Sequence, residues 1–233
     1  MPMRHLAFMF IALAGAQPAL ARDECYGTNL GYEGSESIRL AIVTAKKAAF
    51  HDGQEKATSS YVLEGDEVIA FETLEGFICA AYISKKGVYT SGWLKKEQVT
   101  LRDIAPPKLD VWLGDWNSSK WQNLTLGKGK KPGWIHVSGE AYWAMSEENA
   151  QNGALHEGSV DGEGPLQNGQ VGFTQTTDET YRPWSAAAKD NYECAILVKV
   201  LSNNYLMAQD SSNCGGHNVR FDGYYARGKV KFE

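Results

Sequence analysis

Between Cys194 and Arg227 the chain reads CAILVKVLSNNYLMAQDSSNCGGHNVRFDGYYAR. Cys194–Val200 is a short apolar run rich in β-branched residues. It stops at Ser202–Asn203–Asn204, and Tyr205–Ala208 resumes it, so the pair reads as a β-hairpin closed by a polar turn. Asp210–Gly216 makes a second turn, and Asn218–Tyr224 alternates apolar and polar side chains as a strand does. Two readings of Cys214–Gly215–Gly216–His217 follow: a reactive or metal-binding site, or the closing turn of a β-structure pinned by a disulfide.

Upstream, the pattern repeats. Trp134–Val137, Gly139–Trp143, Gly153–Gly158 and Gly169–Thr174 are short runs cut by Gly, Asn and Asp. Residues 109–233 are therefore expected to hold seven or eight short strands, as an antiparallel barrel or sandwich. Helical signals are scarce, and Ala141–Gln151 is the best of them. Ala105–Pro106–Pro107 cannot continue a central strand, so residues 105–108 read as a Pro-rich linker. Before it lie runs at Leu40–Thr44, Tyr61–Leu63, Val68–Phe71, Phe77–Tyr82 and Val88–Trp93. The expected organisation is all-β, with one domain over 22–104, including an N-terminal extension, and a second over 109–233.

The first residues speak to compartment. Arg4 precedes an uncharged apolar run, Leu6–Ala16, and Pro18 leads into Ala19–Leu20–Ala21. This is the pattern of a secretory signal peptide, expected to be cleaved after Ala21 and too short for a membrane span of roughly 20 residues. A periplasmic or secreted protein with no membrane insertion after cleavage is the expectation. Loss of Arg4 with the leader moves the net charge from −5 to −6. A mildly acidic chain lacks the clustered Lys and Arg that phosphate contacts need, so nucleic acid is excluded as a general partner. Lys128–Lys131 is basic but isolated, and reads as a solvated turn.

Cys25, Cys79, Cys194 and Cys214 make an even set of 4 in an exported chain, which implies two disulfides. Of the three connectivities, Cys25–Cys79 and Cys194–Cys214 keep each bridge inside one expected domain. A nucleophilic Cys214 would need a thiolate kept reduced, which export opposes.

The stretch YVLEGDEVIAFETLEGFICAAYISKKGVYTSGWLKKEQV, with Gly65–Asp66 and Gly92–Trp93–Leu94 in order, resembles bacterial SH3-like domains. The resemblance covers roughly 65 residues and departs from the family at Phe77–Ile78, where a Trp is frequent. It implies a small five-stranded barrel without catalytic machinery that docks on cell-wall peptides or other partners. It also implies that Tyr61, Phe77, Tyr89 and Trp93 line an aromatic groove for an extended peptide, unless they fill the core. The second half, with Trp112–Leu–Gly–Asp–Trp116, a Gly-x-Ala-x-Trp strand and the Cys-Gly-Gly run, is similar to the C-terminal β-domain of uncharacterised secreted proteobacterial proteins. That similarity implies no activity.

No catalytic set stands out. His136, His156 and His217 could converge beside Glu140 or Glu157, but none lies at a close ligand spacing such as His-x-x-x-His. Glu140, Glu157, Asp161 and Glu163 are candidates for a carboxylate pair, though no spacing selects two of them. Asp161–Gly–Glu–Gly164 reads as a turn that holds calcium weakly at most. No cofactor or metal is expected. Six of the 7 tryptophans lie in the second half, and Trp184, in a polar stretch, is expected to be the most exposed and to contact a partner. The leading expectation is an exported, non-enzymatic binding protein that recognises cell-envelope material, either peptidoglycan peptide or an envelope protein. The alternatives are an inhibitor of a wall-degrading enzyme with a protruding loop at Gly158–Gly169 or Thr174–Ala188, a carrier with a ligand cavity in the second barrel, and an enzyme with a histidine–carboxylate site.

Overall fold

The structure, a computed structural model, describes residues 25, 38–84, 87–105, 107–119, 121–177, 180–185, 188 and 190–228. The leader and its cleavage point, and Pro106 of the linker, lie outside the described residues. Two antiparallel sheets make up the fold, one from each half of the chain.

The first sheet contains β1 (Arg39–Val43), β2 (Lys47–His51), β3 (Ala57–Leu63), β4 (Glu67–Leu74), β5 (Phe77–Ile83), β6 (Tyr89–Lys95) and β7 (Val99–Arg102). Their order is β3-β2-β6-β5-β4-β1-β7. Seven strands stand where the resemblance implied five. The additional ones, β2 (KAAFH) and β7 (VTLR), are too short to show a periodicity. The Gly65–Asp66 pair makes the turn into β4. Gly65 sits at φ 87°, open to glycine at no steric cost, and the Asp66 carboxylate accepts the Leu63 amide at 2.8 Å. Val43, Phe50, Val62, Val68, Ile78 and Leu94 form the sheet's inner core.

The second sheet opens with a helical turn, α1 (Leu109–Trp112), and runs through β8 (Gly114–Ser119), β9 (Gln122–Lys128) and β10 (Trp134–Trp143). Short helix α2 (Glu147–Gln151) leads into β11 (His156–Pro165) and β12 (Val171–Thr174). The chain finishes with β13 (Ala195–Val200), β14 (Tyr205–Asp210) and β15 (Gly223–Arg227). The expected helix over Ala141–Gln151 is corrected: Ala141–Trp143 completes β10, and the helix is confined to α2, where Ser146 caps the Asn149 amide at 3.1 Å. The order β11-β10-β9-β8-β15-β14-β13-β12 joins two four-stranded meanders through the β15–β8 ladder. The two end strands, β11 and β12, come together without a ladder: a Cβ on Gly162 would stand 2.3 Å from the Phe173 ring. The sheet is thus nearly closed into an eight-stranded barrel. Trp112, Trp116, Leu124, Phe173, Phe221 and Tyr225 fill its interior, with Val and Ile side chains between them.

Arg227 braces the β8–β15 joint between the two meanders. Its guanidinium donates to the carbonyls of Val111, Leu113 and Asn203 and lies 4.3 Å from the centre of the Trp116 ring. A planar fork with several donors suits this task, which a single ammonium could not perform.

The sheets share a core. Ile38, Leu40, Ile69 and Ile83 of the first pack against Leu201, Tyr205, Met207 and Tyr224 of the second. Polar contacts tie the same face: Glu67 accepts from the Ser202 hydroxyl at 2.6 Å and the Asn204 side-chain amide at 3.0 Å, and the Tyr205 hydroxyl donates to the Glu67 carbonyl at 2.7 Å.

Candidate functional site

Both expected disulfides are formed, Cys25–Cys79 with Cα atoms 5.4 Å apart and Cys194–Cys214 with 4.5 Å. The second bridge leaves neither sulfur as a nucleophile or ligand. The Cys-Gly-Gly turn packs against the end of β11, where the Ser159 amide donates to the Cys214 carbonyl at 3.1 Å and the Gly216 amide to the Glu157 carbonyl at 3.0 Å. A Cβ on Gly158 would stand 2.4 Å from the Cys214 carbonyl oxygen, and one on Gly215 would stand 2.6 Å from the Gly158 Cα. The glycines serve a close backbone approach.

The histidines do not converge. His136 pairs in register with Glu163, and His156 with Trp143, at the other end of β10. Seven residues of strand between His136 and Trp143 span about 23 Å. His156 and His217 are neighbours, with ring centres 6.4 Å apart, whereas the His136 Nε2 meets Asp161 at 3.3 Å. Among the described residues no group of three His, Cys, Asp or Glu could hold a metal ion. Asp161–Gly164 is part of β11 and not the expected turn. Glu163 accepts the Lys130 amide at 2.6 Å, and Glu140 accepts the Tyr142 hydroxyl at 2.9 Å.

The four aromatics of the implied groove are dispersed. Trp93 is 1% exposed and Phe77 9%; they pack with Cys79 and Cys25 on the outer face of β5–β6, so neither lines an open groove. Phe77 meets the His51 ring edge-on at 5.3 Å. Tyr61 is 49% exposed on β3, with the Lys47 ammonium 4.1 Å from its ring centre. Tyr89 stands at the junction of the two sheets. Trp184 is half-buried, like Trp121, Trp134 and Trp143, and not exposed as expected. It lies over β12, where a Cβ on Gly172 would stand 2.8 Å from its own Cβ.

The two segments expected to protrude are also placed otherwise. Gly158–Pro165 is strand, followed by a tight turn closed between Gln167 and Gln170. After β12 the described residues fold back along the barrel wall: the Thr174 amide donates to the Arg182 carbonyl at 2.9 Å, and Tyr181 meets Trp134 edge-on at 5.0 Å.

Two ligand-sized clefts result. One, about 520 Å³, lies on the outer wall over the β11–β12 seam. It is a mixed-charge site: Lys130, Lys131, His136, Asp161 and Glu163 all line it, with the Lys131 ammonium 4.4 Å from the Trp134 ring centre. The other, about 560 Å³, lies at the junction of the sheets. Tyr89 lines it from β6, and Trp121, Tyr142, Trp143 and Tyr224 line it from the barrel, with polar side chains such as Gln122, Glu147 and Asp222 among them. The Tyr89 hydroxyl is buried without a protein hydrogen-bond partner among the described residues. Burial pushes the phenol pKa values of Tyr89 and Tyr224 well above the usual range, so both are neutral donors. Nothing in the sequence alone marked this cleft except Tyr89; its walls come from segments far apart in the chain.

No protein-family model, curated protein or solved structure matches the chain.

Proposed function

We propose that the protein is an exported, non-enzymatic binding protein that recognises cell-envelope material, either peptidoglycan or an envelope protein. The observation that carries the reading is the junction cleft, a concavity of about 560 Å³ whose walls are aromatic rings with a few polar groups among them. Its size falls within the roughly 300–1,000 Å³ of small-molecule sites, and such a lining gives affinity through rings and orientation through few hydrogen bonds. The basic start and apolar run at Arg4–Ala16 support export, as do two disulfides. No described helix is long and apolar enough to cross a membrane. The likeness of the first half to SH3-like domains supports a docking role.

The test is co-sedimentation of the full protein with purified peptidoglycan sacculi, beside the variants Trp121→Ala and Tyr142→Ala. The expected outcome is pelleting that both substitutions weaken. If nothing pellets, wall binding is lost and the partner must be sought among envelope proteins. The halves are poor reagents for this purpose, because separating them destroys the cleft and exposes the core they share.

A further inference from the structure

The described histidines differ in what holds them. His51 is buried, with Nδ1 3.2 Å from the Trp93 carbonyl, and His136 meets Asp161 at 3.3 Å. His156 and His217 are both exposed, with ring centres 6.4 Å apart, and neither imidazole has a hydrogen-bond or ion-pair partner among the described residues. The fold clamps the two segments that carry them. His156 opens β11, and His217 follows the Cys-Gly-Gly turn. The Gly158–Gly215 bridge and the Gly216 amide, donating to the Glu157 carbonyl at 3.0 Å, fix that turn to β11. The Cys194–Cys214 disulfide ties it to the head of β13. Gly216 leaves room for the His156 ring, since a Cβ there would stand 3.1 Å from its Nδ1. Two imidazoles on a fixed backbone are held near one another before any ligand arrives, which lowers the ordering cost of binding. An ion bonded at about 2.1 Å to one nitrogen of each ring holds the ring centres roughly 5–6 Å apart. A small turn of two exposed side chains reaches that spacing. Imidazole suits Zn²⁺, Ni²⁺ and Cu²⁺, and Cu²⁺ binds most tightly to a given set of such ligands. No third His, Cys, Asp or Glu joins the pair among the described residues, so water would complete the coordination.

We infer that His156 and His217 form an open, two-imidazole site for a late first-row divalent cation, Cu²⁺ foremost. The inference is independent of the envelope-binding reading and is tested with the metal alone. His156 packs against Trp143, with ring centres 5.7 Å apart, so Cu²⁺ bound there should quench that tryptophan. Zn²⁺, with its filled d shell, should not. The untagged protein is titrated with Cu²⁺, and binding is followed by calorimetry and by tryptophan fluorescence. The expected result is saturable binding of one Cu²⁺ with matching loss of fluorescence, and Zn²⁺ should reverse that loss at higher concentration. His156→Ala and His217→Ala should each weaken binding by about tenfold or more and remove the quenching in the same concentration range. His136→Ala should change neither signal. Both side chains are exposed, so the alanine variants should fold. His156→Gln and His217→Gln, which keep polar side chains but lose the imidazole, decide the matter if they do not. Absence of saturable Cu²⁺ binding in the native protein overturns the inference. Binding that survives loss of both histidines places the ion elsewhere and overturns it too. Weakening by one substitution and not by the other reduces the site to a single imidazole, with the same consequence.

Discussion

Asp210 holds the chain reversal that the Cys-Gly-Gly turn completes. Its carboxylate accepts the Ser212 amide at 2.7 Å and the Phe221 amide at 2.6 Å. Burial pushes its pKa above the ordinary range, and these amides with Arg220 only partly draw it back. The unfolded chain titrates near about 3.9. With the folded value raised, Asp210's contribution to stability is fully present below about pH 4 and is lost as the pH rises through the folded value. Asp210→Asn removes that titration. The unfolding free energy of the native protein minus that of the variant should therefore fall as the pH rises from about 4. Urea midpoints across this range measure it, and a difference independent of pH would show that the carboxylate does not titrate abnormally. At Gly158 the expectation is steric. Alanine there would bring a Cβ to 2.4 Å from the Cys214 carbonyl oxygen, and Gly158→Ala should destabilise by about 1–3 kcal/mol. The readout is a lower urea midpoint at unchanged slope. The Gly-Gly run in the sequence suggests backbone freedom, but its cause is a contact between Gly158 and Gly215, which no local pattern encodes.

Individual strands show why the fold class was readable and the site was not. β5 and β14 are buried on both faces. In β14, Leu206 and Ala208 enter the barrel, whereas Tyr205 and Met207 enter the core shared by the sheets. Two-sided burial yields a continuous apolar run, which says strand but not which face meets what. β3 fails in the opposite way, because nearly every residue of ATSSYVL is exposed and little alternation remains to be read. The disulfides were readable because export and an even cysteine count constrain them. The sequence marks Trp93 as aromatic and either structural or binding, but only the fold shows that it packs with Phe77 against the Cys25–Cys79 bridge on the outer face of β5–β6. Replacing Cys25 and Cys79 together by alanine should cost about 4 kcal/mol by the loop-closure argument. It should also expose Trp93, now 1% exposed. A red shift of tryptophan emission with new access to acrylamide is the expected signature. Unchanged emission from a folded variant would mean that other residues cover Trp93.

At the scale of the molecule, the sequence divides at Ala105–Pro107 while the physics does not. Ile69 and Ile83 on one side and Leu201, Met207 and Tyr224 on the other share one apolar cluster. Exposing a cluster of this kind costs more than two small sheets can spare, since a domain's whole stability is only about 5–15 kcal/mol. The two sheets are therefore expected to unfold together. Tryptophan fluorescence, dominated by the second half, and far-UV circular dichroism, which sees both, should give coincident urea transitions. Glu67 is the polar latch on this interface, accepting from Ser202 at 2.6 Å and Asn204 at 3.0 Å. Glu67→Ala should lower stability by about 2 kcal/mol. Met207→Asp places an unpaired charge in the shared cluster and should separate the two transitions. Because Tyr89 comes from the first sheet and Trp121, Tyr142 and Trp143 from the second, the Met207 variant should also lose binding at the junction while the barrel itself remains folded. Separate transitions in the native protein would make the two sheets independent units; retained binding in the Met207 variant would show that the first sheet contributes nothing to the cleft.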